Sequence, residues 1–192
     1  MILKYRLLVI LLINHFLIYF LIGFILSTDK DSNYNSLKTG FFNKVSIPDN
    51  QIYSINADLP PQEAASDYEA KMKSLFGNVD FPKFDVLVLG MGPDGHICSL
   101  FPNHGLLDVN DHWVAWVDDS PKPPPKRITM TLPVLNNARN VCFTVTGASK
   151  TEMVKRVHAT PLDRNVPASM VDTKQGNVHW FMDVNAARLL TS

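Results

Sequence analysis

Apolar positions fall into two regimes along the chain. From Leu7 to Leu26 nearly every residue is Leu, Ile, Phe, Val or Tyr, interrupted by Asn14, His15 and Gly23. A run of twenty residues, at a rise of about 1.5 Å each, covers the roughly 30 Å hydrocarbon core of a bilayer. Residues 1–27 therefore predict one hydrophobic helix, a transmembrane or signal-anchor segment through residues 7–26. Lys4 and Arg6 would hold its amino end on the cytoplasmic side. A cleaved secretory signal fits less well, because the run is long and no small-x-small cleavage site follows. A buried helix is the other reading, although a helix apolar on every side has no face to give to water.

Residues 28–192 alternate short apolar runs with polar turns and read as one separate domain. A strand is predicted over 51–55. Pro60 and Pro61 then open a helix to Phe76 that places Ala64, Ala65, Tyr68, Met72 and Leu75 on one face, closed by Gly77. Asp85-Val-Leu-Val-Leu-Gly90 is a continuous apolar run into glycine, the pattern of a parallel strand covered on both faces. Further strands are predicted at Trp113–Val117, Val141–Val145 and Val178–Phe181, and helices at Leu132–Arg139, Ser149–His158 and Val184–Leu190. Alternating strands and helices predict an α/β fold with a mainly parallel, doubly wound, Rossmann-like sheet. Ligands in such sheets sit beyond the carboxyl ends of the strands, which directs attention to the loops after Leu89 and Val145.

Charge narrows the picture. The chain carries 18 Lys+Arg against 18 Asp+Glu, and with Lys4 and Arg6 set aside the body has 16 against 18. That balance excludes a nucleic-acid binder that relies on a strongly basic face. Two cysteines, Cys98 and Cys142, make neither a disulfide framework nor a four-cysteine zinc site and read as buried thiols. No His/Cys/Asp/Glu spacing predicts a metal site.

The segment richest in chemistry is Leu89-Gly90-Met91-Gly92-Pro93-Asp94-Gly95-His96. Gly90, Gly92 and Gly95 let a ligand approach bare backbone, and successive N–H groups in such a turn can cradle an anion. Asp94 is placed to accept a backbone hydrogen bond that fixes the loop. His96, at the mouth of the sheet, can transfer protons near neutrality. The loop fits neither the dinucleotide-binding nor the P-loop pattern. His104, His112 and His179 read as surface or strand-edge residues.

Gly90-Met91-Gly92-Pro93-Asp94-Gly95-His96-Ile97-Cys98-Ser99-Leu100-Phe101-Pro102 resembles the signature of the 6-phosphogluconolactonases. Asp119-Ser120-Pro121-Lys122-Pro123-Pro124-Pro125-Lys126-Arg127-Ile128-Thr129 and Leu132-Pro133-Val134-Leu135-Asn136 resemble a second hallmark. Gly147-Ala148-Ser149-Lys150, Pro167-Ala168-Ser169 and Trp180-Phe181 follow in the same order. The resemblance implies hydrolysis of 6-phospho-D-glucono-1,5-lactone to 6-phosphogluconate in the pentose phosphate pathway. His96 would be the general base that activates water, and no cofactor would be needed, since a lactone is already an activated ester. It implies that Asp94 orients the loop or the water rather than serving as a conventional triad acid. Lys150 and Arg127, together with Gly90, Gly92 and Gly95, would bind the phosphosugar lactone, in a cytoplasmic enzyme. Lys122, Lys126 and Arg127 can equally be a solvated charge run.

The wider superfamily includes glucosamine-6-phosphate deaminases, which resemble this segment but follow it with an Asn-Glu-Pro; here Leu100-Phe101-Pro102 offers no carboxylate. The resemblance also implies upstream strand–helix units, with a Gly-Gly-Ser-type phosphate loop, that do not occur in this chain. The readings left open are therefore an active lactonase, a truncated and impaired family member, and a phosphosugar deaminase or isomerase.

Overall fold

The computed structural model describes residues 7–13, 16–22 and 33–190, with side chains from Leu37 onward. Its strands are β1 (Leu7–Ile13), β2 (Phe16–Ile22), β3 (Ile52–Ser54), β4 (Val86–Leu89), β5 (Val114–Val117), β6 (Arg127–Met130), β7 (Asn140–Val145) and β8 (Asn177–Met182). Its α-helices are α1 (Asn33–Gly40), α2 (Pro61–Phe76), α3 (Leu132–Asn136), α4 (Thr151–Ala159) and α5 (Val184–Ala187). Six strands form one sheet in the order β3-β2-β1-β4-β7-β8. The pairs β2–β3, β4–β7 and β7–β8 are parallel, and β1 runs antiparallel to both β2 and β4.

The apolar head is therefore not the helix that its hydropathy predicts. Leu7–Ile13 and Phe16–Ile22 are two strands paired from Leu7↔Ile22 to Ile13↔Phe16. Among the described residues no helix is long and apolar enough to cross a membrane. The rest of the predicted span, residues 14–15 and 23–26, lies outside the described residues. Ile, Val, Phe and Tyr in the run favour a pleated strand over a helix. Asn14-His15, its clear polar break, is all the sequence that separates the paired ends Ile13 and Phe16. β1 is the antiparallel partner of Val86–Val88, and β2 pairs with β3 at Tyr19–Leu21.

Most other elements fall where the pattern places them. β4 and β7 are central strands with Leu87, Leu89, Val141, Phe143 and Val145 buried. α2 packs its predicted face inward: Ala64, Ala65, Tyr68 and Met72 are buried, and the Tyr68 hydroxyl donates to the Tyr53 carbonyl across 3.2 Å. Trp113–Val117 does not join the main sheet as expected. Among the described residues β5 pairs only with β6, as an antiparallel ribbon. The cause is α2: the buried Glu69 carboxylate accepts hydrogen bonds from the Trp113 and Val114 amides at 2.9 and 3.1 Å, tying the ribbon to the helix. Lys73 balances that charge at 2.6 Å, so Glu69 is both hydrogen-bonded and paired, the condition under which a buried carboxylate is tolerated.

Deletion of residues 1–22 would remove the strand partner of β3 and leave β4 paired on one side only, with β7, and is expected to give an aggregated or unfolded chain. Circular dichroism and size-exclusion chromatography of the deletion check this. A soluble chain with a cooperative melt would show that the hairpin is dispensable.

Candidate functional site

β4 ends at Leu89 and the chain turns back on itself within seven residues. The Gly92 amide donates to the His96 carbonyl (2.8 Å) and the Gly95 amide to the Gly92 carbonyl (3.0 Å), closing the turn. Two of the three glycines are sterically required. A Cβ on Gly92 would overlap the His96 ring and the Asp94 carboxylate. Gly95 has φ +81°, and a Cβ there would stand 2.8 Å from Val166 Cγ1. From the other side, the Ala168 amide donates to the Gly95 carbonyl, so the Pro167-Ala168-Ser169 segment holds the turn from outside.

The turn brings Asp94 onto His96 itself. Asp94 Oδ1 lies 2.6 Å from His96 Nδ1, whereas the backbone contact from the His96 amide is long at 3.5 Å. Asp94 thus bears on the imidazole directly, besides its contact with the loop backbone. With Gly92 leaving the space empty, a carboxylate only two residues away folds back to reach the imidazole. An ionised carboxylate can only accept, so Nδ1 carries the proton and Nε2 carries the basic lone pair. His96 is 2% exposed. Burial holds its pKa below the ordinary histidine value, outweighing the opposing pull of Asp94. Burial works to raise the Asp94 pKa, but hydrogen bonds from His96 and Lys122, with their charges, hold it far below the carboxylate range. A neutral base beside a permanent carboxylate is the result.

Lys122 is the residue that sequence reasoning missed. Read as part of a solvated charge run, it instead places Nζ 2.8 Å from Asp94 Oδ2. The available signal was its neighbourhood: a lysine held among Pro121, Pro123, Pro124 and Pro125 has a stiff backbone that can aim it. Arg127 stands at the base of this strap, donating to the carbonyls of Lys122, Pro123 and Pro124, each at 2.9 Å. Its guanidinium also lies 5.5 Å from the centroid of Phe101, whose ring stacks obliquely on His96 at 4.7 Å.

Lys150, in the turn between β7 and α4, is buried and donates to the Met91 carbonyl at 2.7 Å. Burial, with the Lys122 charge adding to it, lowers its pKa to about 8. Gly90 directly follows β4, Gly92 and Gly95 build the turn, and Lys150 reaches the same loop from β7. The structure thus gathers His96, Asp94, Lys122, Arg127 and Lys150 at the carboxyl ends of β4 and β7, the end at which a parallel sheet binds ligands. Three cations around one carboxylate suit an anionic ligand.

Other residues lie elsewhere. His179 is exposed on β8 and His112 on its loop, as expected. His104 is only half exposed; its Nδ1 accepts from the Leu106 amide, which caps a short 3-10 turn. Cys98 and Cys142 are half-buried rather than buried. A cleft of about 650 Å3 between Phe81, Lys83, Asp108, Asn137 and Lys174 opens before β4, β7 and β8, at the opposite end of the sheet from His96. Among the described residues no cluster of His, Cys, Asp or Glu could hold a metal ion.

The chain belongs to the family of glucosamine-6-phosphate isomerases/6-phosphogluconolactonase, whose pattern matches residues 24–180. It is 47% identical to human 6-phosphogluconolactonase over 161 residues, covering 84% of this chain and 62% of the relative. Two solved structures have similar folds. 6-Phosphogluconolactonase from Trypanosoma brucei gives a TM-score of 0.74 at 26% identity, with 89% of this chain and 73% of that one covered. The Thermotoga maritima 6-phosphogluconolactonase gives 0.72 at 27% identity, covering 85% and 72%. The chain spans about 62% of the length of the human, bovine and rat relatives.

Gly92→Ala is expected to lower stability by about 1–3 kcal/mol, the usual range for forcing a methyl into a packed site, and to separate His96 from Asp94. Thermal unfolding and the His96 ring resonances check this; an unchanged melt and spectrum would mean that the turn absorbs a side chain.

Proposed function

We propose that the chain hydrolyses 6-phospho-D-glucono-1,5-lactone to 6-phosphogluconate, a reaction of the pentose phosphate pathway. The observation that carries this reading is the buried His96 at the carboxyl end of β4, with its Nδ1 2.6 Å from Asp94 Oδ1. His96 Nε2 takes a proton from water as the oxygen attacks the lactone carbonyl carbon. The tetrahedral intermediate collapses by breaking the bond from that carbon to the ring oxygen, and His96 returns the proton to the departing alkoxide. A base in this position contributes about 10²–10⁴-fold. Asp94 fixes the tautomer and stabilises the imidazolium that forms, and Lys122 fixes Asp94. Lys150 holds the substrate phosphate. Arg127 adds positive charge through its Nη1 group, its other donors being bonded to the strap. Gly90, Gly92 and Gly95 keep the loop backbone open to the substrate. A lactone is an activated ester, so this route uses neither a metal nor a redox cofactor. The reading makes the protein a cytoplasmic enzyme whose partner is the phosphosugar lactone.

In the full chain, His96→Ala is expected to abolish turnover above the spontaneous rate while leaving the fold intact. Unchanged turnover would contradict the assignment. Release of ammonia from glucosamine 6-phosphate would favour the deaminase reading instead, and a folded full chain inactive on the lactone would mark an impaired member of the family.

The pH dependence has a definite sign. Because the His96 pKa lies below its ordinary value of 6.5, the base stays neutral at that pH and kcat falls only on further acidification. Below the ordinary value the unfolded chain binds the proton more readily than the folded one, so stability also falls as the pH drops through this range. A pH–rate profile that declines already above pH 7 would contradict this. At the alkaline end, Lys150 loses its charge near pH 8, so KM is expected to rise above that pH. In Lys150→Arg, whose charge persists, the alkaline rise should vanish; an identical rise would move the phosphate contact to another residue.

A further inference from the structure

We propose that Arg127 is a positioning residue for His96, closing a ring of contacts that fixes the imidazole from both sides; this rests on the reading of His96 as the base. One arm of the ring runs through the strap. Arg127 Nε donates to the Pro124 carbonyl, and Nη2 donates to the Lys122 and Pro123 carbonyls, all at 2.9 Å. Lys122 Nζ reaches Asp94 Oδ2 at 2.8 Å, and Asp94 Oδ1 meets His96 Nδ1 at 2.6 Å. The other arm is aromatic. The Arg127 guanidinium lies 5.5 Å from the Phe101 ring centroid, and the Phe101 and His96 centroids are 4.7 Å apart.

The strap needs such a residue because of its composition. Pro121, Pro123, Pro124 and Pro125 have no N–H, so this run of five residues has a single backbone donor, the Lys122 amide, to pin it. Its internal bonds are few: the Ser120 hydroxyl donates to the Lys122 carbonyl at 2.8 Å and accepts from the Lys122 amide at 3.3 Å, and the Ser120 amide donates to the Pro125 carbonyl at 3.1 Å. The three carbonyls on Lys122, Pro123 and Pro124 then face a fork of planar donors at fixed angles. Arginine supplies that fork and stacks on a ring at once; a lysine ammonium, a compact point charge, does neither in the same geometry. Lys122 is thereby aimed at Asp94 by its backbone rather than by its flexible side chain alone.

The test follows the His96 ring by NMR titration in the full-length chain, comparing wild type with Lys122→Gln, Arg127→Lys and the double variant. The charged groups facing His96 from the described elements are Asp94 on its own loop, Lys122 on the strap and Arg127 on β6, with Lys150 acting on Asp94 and Lys122. Lys122→Gln removes a repelling cation and leaves Asp94 to the imidazole, so the His96 titration moves up. Arg127→Lys keeps the charge count but releases the strap, so it is expected to produce most of the same upward move, and the double variant no more than Lys122→Gln alone. An Arg127→Lys titration that matches wild type, or shifts that add in full, would overturn the proposal. If Arg127→Lys does not fold, hydrogen exchange of the Arg127 Nε–H in the wild-type chain decides: strong protection is expected, and exchange at the rate of an exposed guanidinium overturns the proposal. In lactone hydrolysis, Arg127→Lys should lower kcat about tenfold or more with a smaller change in KM, as small misplacements of a base do; a rise in KM alone, with the titration unmoved, counts against it. A wild-type chain without lactonase activity would remove the functional reading, while the ring titration would still decide what Arg127 does.

Discussion

The 2.6 Å contact between Asp94 and His96 is the interaction on which the remaining features of the site depend. It exists because a buried strand ends in a turn with no side chain at position 92, and because Gly95 adopts a positive φ under Val166. Burial alone would leave His96 a neutral ring of undetermined tautomer. The carboxylate settles the tautomer, since it can only accept a hydrogen bond. Lys122 in turn keeps that carboxylate ionised, and the pair is not deeply sealed: Asp94 remains about a third exposed, at 31% of its side chain. Water can reach the charged partner while the imidazole stays inside, an arrangement suited to a base that must take a proton from solvent and give it back.

Electrostatically, this end of the sheet is lopsided. Lys122, Lys150 and Arg127 converge on a region whose nearest compensating charge is Asp94. In a chain of zero net charge, such local excess is a property of the site and not of the surface as a whole. The cations repel one another and are partly desolvated, which is why Lys150 titrates as low as about 8. An anion bound among them would relieve that repulsion, so the free site is the less stable arrangement of its own charges.

Much of this was legible in the residues. The continuous run Val86–Leu89 into glycine identified a central strand, and the glycine spacing with His96 marked the loop, because burial on both faces and bare backbone leave unmistakable patterns. Lys150 was legible as the lysine of a strand-to-helix turn. Two features were not. The apolar head has the hydropathy of a spanning helix, and hydropathy does not distinguish a helix from two central strands; only pairing with β3 and β4 separates them. Lys122 was hidden because its partner is 28 residues away in sequence, and a lysine in a polar run looks solvated until the chain is folded. Its link to Asp94, like the carbonyl contacts of Arg127, is tertiary and leaves no periodic trace. The ribbon of β5 and β6 was misplaced for a similar reason: Glu69, a helical residue far upstream, takes the amides at its start.

The most direct test of this picture is the tautomer of His96, read from the nitrogen chemical shifts of its ring in the full-length chain at neutral pH. The structure predicts a protonated, hydrogen-bonded Nδ1 and an unprotonated Nε2, lost together when Asp94 is replaced by Asn. A ring protonated on both nitrogens at pH 7, or one with its proton on Nε2, would contradict the account, because neither leaves a lone pair where a base needs one.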